Sequence, residues 1–247
     1  MALIHSFESS GNFLFKYRGQ FPVVLFLLCI PFVYATDYTL ISIASQRTLL
    51  FTGITFCVLG LLIRAITIGT TPKGTSGRNT EKQIAEQLNT AGIYSVLRHP
   101  LYVGNYFMWA GIVVYTMNFS LFIIFSLAYW LYYERIMYAE ERFLERKFGE
   151  TYDKWSLQVP AFIPSFKKYI KSTVPFSAKA VFRREYSGVL ATVIGFVYIQ
   201  FLKNFFALQK VFISTNFITV FIITAGAALI LRSLKHYTSV LSEEHKD

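Results

Sequence analysis

The sequence predicts an all-α, polytopic helical membrane protein with about six transmembrane helices and a cytosolic helical cap. Three observations lead there. The 247 residues are 54% hydrophobic and 18% aromatic but only 15% charged, far from the composition of a soluble domain. Apolar residues gather in blocks long enough to cross a hydrocarbon layer of about 30 Å as helices. Lysine and arginine fall between those blocks with a strong bias to one side.

The first apolar block, Phe21 to Ala35, is short and is interrupted by Pro22 and Pro31, so it needs Tyr17 or the residues after Asp37 to reach across. The twenty residues before it lack the apolar core and small-residue cleavage site of a signal peptide, and the block is expected to remain as an anchor. Leu49 to Ile68 is a full-length span with Arg64 near its end. Thr70 to Thr80, rich in glycine, threonine and lysine, reads as a flexible loop, and Glu81 to Leu88 as a short helix. As one helix, Tyr102 to Trp130 would rise about 43 Å, more than the bilayer core. A hairpin turning at Met117-Asn118 resolves this and returns Tyr132 to the side of Arg98. Glu134 to Gly149 forms a charged helix with Gly149 as its C-terminal cap. After a polar segment come two more apolar blocks, Ser187 to Phe206 and Val211 to Leu231, joined by a tight turn at Leu208 and Gln209.

The charge distribution orients this array. Lys16 and Arg18 precede the first span, and Lys73, Arg78, Lys82 and Arg98 the third. Most of the rest lie between Arg135 and Arg184, and Arg232 and Lys235 follow the last span. The opposite loops carry little beyond Arg47, Lys203 and Lys210. Both termini are therefore expected in the cytoplasm. The net charge of +10 suits anionic lipid headgroups rather than nucleic acid, because the basic residues flank spans.

Cys29 and Cys57 sit inside apolar runs without metal or redox spacing and read as small core residues. His5, His99, His236 and His245 form no ligand pattern, so no metal site is expected. The nucleophile elbow, the phosphate loop and a strand–helix dinucleotide fingerprint are all missing, which argues against those enzyme classes.

Two constellations carry chemistry. On the helix from Glu134, Ile136, Ala139, Phe143 and Leu144 form an apolar face with Met137 and Phe148 at its edge. Glu140 points into that face and Glu141 lies at its boundary. A carboxylate among apolar groups needs a cation or hydrogen-bond donors: Lys147, Arg98 and Arg64 are structural candidates, a bound cationic molecule the functional one. The second is RHPLYVGN, Arg98 to Asn105, where Pro100 suits a first helical turn whose free N–H groups can receive an anion beside the His99 imidazole. Gly104 permits close approach of another backbone or of a flat ligand, although the spaced glycines of VGNYFMWAG are better explained by helix packing.

GIYSVLRHPLYVGN (Gly92 to Asn105), AEERFLERKFGETYDKW (Ala139 to Trp155), VPAFIP (Val159 to Pro164) and GLLIRAITIG (Gly60 to Gly69) together resemble the isoprenylcysteine carboxyl methyltransferase and phospholipid methyltransferase superfamily of integral membrane enzymes. The resemblance implies a cofactor-binding helical cap that holds S-adenosylmethionine and takes hydrophobic, membrane-embedded acceptors from the bilayer. It implies cofactor-binding roles for Tyr94, Arg98, His99, Pro100, Tyr102, Gly104, Glu140 and Glu141, with His99, Glu140 and Glu141 as the candidate catalytic residues. Arg64 and Asn105 are the acceptor-side candidates. No obligate protein partner is implied. The chain then divides into an N-terminal span and loop (1–48), a methyltransferase core (49–170) and a C-terminal helix pair (171–247). Two alternatives stay open: an NADPH-dependent sterol or polyprenoid reductase, and a non-enzymatic scaffold or channel.

Overall fold

The computed structural model describes residues 2–72 and 83–242. Among these the chain is all-helical, with eight α-helices and no strand. The expected loop from Thr70 to Thr80 lies largely outside the described residues, as do Glu81, Lys82 and His245. Residues 83–88, expected to continue a short helix, are not helical. An isolated helix needs roughly 12–15 residues to hold itself in water, and this segment is shorter.

Helix α1 (Leu3–Lys16), which apolar runs alone did not announce, lies along the charged half of α5 (Phe119–Phe148). Arg146 pairs with Glu8 at 2.6 Å, and the Arg135 guanidinium covers the Phe7 ring at 3.3 Å. Tyr132 donates to the Leu14 carbonyl at 3.1 Å. These contacts fix the α1–α2 connection, and with it Arg18, beside α5.

Helix α2 (Phe21–Ala35) coincides with the first apolar block and continues through Pro31. Helix α3 (Ile43–Gly69) is capped by the Ser42 hydroxyl, which accepts from the Ser45 N–H at 3.1 Å. Helix α4 (Pro100–Tyr115) and α5 form the expected hairpin, with Met117 at φ 62° in the turn and the Asn118 side chain accepting from Leu121 N–H at 2.9 Å. The charged helix is no separate element. With no glycine or proline between Phe119 and Phe148, the second leg runs unbroken into it over 30 residues, about 45 Å, until Gly149 stops it at φ +51°.

Helix α6 (Glu150–Ser156) is short. Helix α7 (Ala178–Leu208) begins well before the apolar block at Ser187, because the Ser177 hydroxyl caps it, and so carries Arg183, Arg184 and Glu185 as helical residues. Gln209 adopts the left-handed conformation that ends it, and α8 (Thr215–Tyr237) follows. Arg47 and Lys203, expected on far-side loops, are helical. Lys203 is buried on α7 between the rings of Tyr38 and Tyr115, at 4.9 and 4.5 Å.

Among the described residues, three helices, α3, α7 and α8, are long and apolar enough to cross a membrane. Helices α2 and α4 have 15 and 16 residues. The core lies where α2, α4, α5 and α7 meet, around Val33, Phe125, Tyr129, Ile136 and Ile199. Both cysteines are free and buried, and the Cys57 thiol donates to the Met108 carbonyl at 3.1 Å.

Helices α3 and α4 cross through glycines. A Cβ on Gly60 would stand 2.5 Å from the Gly104 carbonyl oxygen, and one on Gly53 2.5 Å from that of Gly111. Both obstacles are backbone, so a methyl group there must open the crossing. Gly60→Ala is expected to cost about 1–3 kcal/mol. Gly226→Ala on α8, where nothing lies within 4 Å, should leave stability unchanged or slightly raised. Thermal melting of the two purified variants in detergent checks the contrast.

Candidate functional site

The chain from Val96 to His99 enters α4 pinned to the segment after α6. Arg98 N–H donates to the Pro160 carbonyl at 2.9 Å, His99 N–H to that of Ala161 at 3.2 Å, and Ser165 N–H to that of Val96 at 3.0 Å. The Arg98 guanidinium completes the latch, donating to the Ser156 and Val159 carbonyls at 2.6 and 3.0 Å. The RHP and VPAFIP segments are thus complementary halves of one local structure. The first-turn N–H groups of Tyr102 and Val103 both bond the His99 carbonyl. The helix end therefore has fewer free donors for an anion than the sequence suggested.

Arg98 also donates from Nε to Glu141 Oε1 at 2.9 Å, and the same oxygen lies 2.8 Å from His99 Nε2. Glu140, one residue earlier on α5, accepts from the Tyr102 hydroxyl at 2.7 Å. It stands 3.7 Å from His99 Nδ1 and 3.9 Å from an Arg18 nitrogen. None of the partners expected for Glu140 is used: Arg98 goes to Glu141, Arg64 goes elsewhere, and Lys147 is exposed and lies over the Phe148 ring. Glu140 is met instead by α4 and by the α1–α2 connection.

The two carboxylates are electrostatically unlike. Burial raises the pKa of Glu140 above the ordinary 4.5, against the pull of His99, the Tyr102 hydroxyl and Arg18, while Glu141 pushes it up further. Burial acts on Glu141 too, but its hydrogen bonds and charge interactions with His99 and Arg98 prevail and hold it below 4.5. Tyr94, on the short 3-10 turn Gly92–Ser95, has its phenol pushed up by burial and then by the Glu140 charge.

Arg64 and Asn105 form a second cluster. Arg64 donates from Nε and a terminal nitrogen to the two oxygens of Glu185 at 2.7 and 2.6 Å, and from its other terminal nitrogen to Asn105 Oδ1 at 2.6 Å. It is a largely buried, paired arginine rather than a helix-end charge. Gly104 faces this side, against Arg64 and Gly60, rather than the carboxylate pair. Between the clusters stand tyrosines: Tyr133 packs on Tyr102 at 4.7 Å and on Tyr129 at 4.2 Å, and the Tyr129 hydroxyl donates to the Tyr102 carbonyl at 2.7 Å.

Sequence reasoning missed Arg18, Tyr129, Tyr133 and Glu185. Tyr129, Tyr133 and Glu140 share one face of α5 by helical spacing, a readable signal. Glu185 is the single acidic residue between Asp153 and Glu243, which could have marked it. Arg18 carries no local signal, because its place is set by how α1 packs.

The opposed carboxylates make a signed prediction. Glu141, with its folded pKa lowered, contributes stability that is complete above the unfolded value and lost as pH falls through the folded one. Glu140 behaves oppositely: the stability from its retained proton is present below the unfolded value and lost as pH rises through the raised folded one. Near neutral pH, Glu141→Gln should lower stability by about 1–3 kcal/mol by stripping Arg98 and His99 of their acceptor. Glu140→Gln should not lower it. Melting curves of the two variants from about pH 4 to 8 read both signs.

Against known families, residues 48–151 match the phospholipid methyltransferase family model. The chain is 40% identical over 78 residues to the protein-S-isoprenylcysteine O-methyltransferase of Schizosaccharomyces pombe, covering 31% of this chain and 33% of that one. It is 33% identical over 157 residues to the nickel-cobalt-cadmium resistance protein NccN of Alcaligenes xylosoxydans xylosoxydans, covering 62% and 67%. It is 27% identical over 167 residues to the protein-S-isoprenylcysteine O-methyltransferase of Tribolium castaneum, covering 65% and 57%. The chain thus spans from one third to two thirds of the length of these relatives. No solved structure matches. The matched stretch carries the α3–α4 glycine crossing, the RHP entry and the glutamate pair, and the apolar helices on either side are those of a membrane protein. On this agreement, the chain belongs to the isoprenylcysteine carboxyl methyltransferase and phospholipid methyltransferase superfamily of membrane methyltransferases.

Proposed function

We propose that the chain transfers a methyl group from S-adenosylmethionine to a lipophilic, membrane-embedded acceptor at the cytoplasmic face. The observation that carries this reading is the state of Glu140. It is a carboxylate half-sunk in an apolar face, with one strong hydrogen bond from Tyr102 and, among the described residues, its nearest arginine nitrogen at 3.9 Å. A carboxylate can accept about four hydrogen bonds, so a ligand with a fixed positive charge fits there. S-adenosylmethionine supplies a methyl on a positively charged sulfur, so an acceptor lone pair displaces a neutral thioether and the protein has chiefly to align the partners and exclude water.

Each residue then has a task. Glu140 receives the cationic end of the donor, with Tyr102 orienting its carboxylate. Tyr94 and Pro100 close the wall beside it. Glu141 fixes His99 and Arg98, and Arg98 holds the entry segment shut against residues 156–161. An oxygen acceptor already ionised as a carboxylate requires no base. An ammonium acceptor must first lose a proton, and in this reading His99, hydrogen-bonded to Glu141, is the residue assigned to take it. The relatives named protein-S-isoprenylcysteine O-methyltransferases support a prenylated acceptor. Asn105 and Arg64 face the acceptor, and Gly104 keeps α3 close to α4. Helices α2, α3, α4, the first half of α5, α7 and α8 form six spans with both termini in the cytoplasm, which gathers the basic segments on one side.

Calorimetric titration of the detergent-purified protein tests this. Saturable binding of S-adenosylhomocysteine is expected, weakened at least about tenfold (about 1.4 kcal/mol) in Glu140→Ala. Binding of NADPH without adenosylhomocysteine would overturn the reading.

A further inference from the structure

Helix α7 lies outside the stretch that matches the family, yet it brings a carboxylate to the second cluster. We propose that Glu185 is a positioning residue for the methyl acceptor: it orients Arg64 toward the acceptor, so α7 completes the site. This rests on the methyl-transfer reading above.

The pair is embedded where charge is expensive. Arg64 lies on α3 and Glu185 on α7, both apolar enough to cross a membrane, and their side chains are only 14% and 5% exposed. Ionisable groups within spans are costly and mark substrate paths or relays far more often than simple packing. Holding two helices together does not call for such a pair, since well-packed apolar residues do so as well or better. A bidentate arrangement adds direction. With Nε and one terminal nitrogen on Glu185, and the other on Asn105 and, at 3.5 Å, on the Leu101 carbonyl, four of the five guanidinium N–H donors are engaged and one remains for a ligand. Glu185 thus chooses which edge of Arg64 is offered.

That edge sits in the right place. Arg64 also approaches the Leu101 carbonyl, at 3.5 Å, on the first turn of α4, the same turn whose Tyr102 bonds Glu140. Tyr102, whose hydroxyl bonds Glu140, packs on Tyr133, and Tyr133 on Tyr129, so a run of tyrosine rings leads from the carboxylate pair toward the second cluster.

The test uses the full chain in detergent and three variants, Glu185→Gln, Glu185→Asp and Arg64→Lys. Melting temperature, adenosylhomocysteine affinity and steady-state methyl transfer are read for each, with S-farnesylcysteine or phosphatidylethanolamine as acceptor, whichever the wild type methylates. Glu185→Gln should lower the melting temperature, because it leaves the buried Arg64 charge without its partner, yet bind adenosylhomocysteine within about twofold of wild type. Its acceptor kcat/KM should fall at least about tenfold, chiefly through KM, with Glu185→Asp recovering much of the loss and Arg64→Lys repeating it. Unchanged transfer kinetics in Glu185→Gln would overturn the proposal. So would a parallel fall of adenosylhomocysteine affinity and transfer in both Glu185 variants, the mark of a purely structural staple. Absence of adenosylhomocysteine binding in the wild type is a separate outcome, and it overturns the methyl-transfer reading together with this inference.

Discussion

One oxygen of Glu141 receives both His99 and Arg98, at 2.8 and 2.9 Å, and the rest of the site depends on that junction. It ties the charged half of α5 to the entrance of α4. Through the other arm of Arg98 it ties both to the segment after α6. Without it the two adjacent carboxylates would compete for the same cations, and both would drift toward the protonated form in a partly apolar setting. With it, one carboxylate is held firmly ionised and satisfied by protein, and its neighbour is left partly unmet. The division of labour between Glu140 and Glu141 follows from which of them reaches Arg98.

A second constraint is the close approach of α3 to α4. Gly60 and Gly104 let the backbones meet, and only at that separation does Arg64 reach Asn105 while keeping its bidentate hold on Glu185. The glycines thus shape chemistry indirectly: they set the distance at which a charged side chain from one helix can serve a cluster built on two others. The tyrosines of α4 and α5 pack on one another beside the clusters, and the Tyr129 hydroxyl bonds the Tyr102 carbonyl, which joins the two helices at this level.

Much of the fold was legible in the amino-acid sequence. The bounds of α2, the turn at Met117 and the stop at Gly149 follow from apolar run length, from the mismatch between a single helix and the bilayer, and from glycine at a positive φ. The union of the fourth hydrophobic leg with the charged helix was also implicit, since nothing between Phe119 and Phe148 breaks a helix, but the change from apolar to charged residues suggested a boundary that backbone chemistry does not require. In the site, helical spacing put Glu140 on the apolar face of α5, and the RHP segment stood out as polar residues at the mouth of a span. Which cation served which carboxylate was not legible, because partner choice is tertiary: Arg18 is delivered by the packing of α1 on α5, and Glu185 by a helix more than a hundred residues after Arg64.

The most direct measurement is a structure of the full chain in a lipid nanodisc with S-adenosylhomocysteine bound. The expected result is ligand density between the α4 entrance and α5, its amino group within hydrogen-bond distance of the Glu140 carboxylate and its purine against the segment from Tyr94 to Tyr102. Density at any other place, such as the apolar cleft of about 460 Å³ lined by Tyr198, Phe201 and Phe221 on α7 and α8, with Glu140 left untouched, would contradict it.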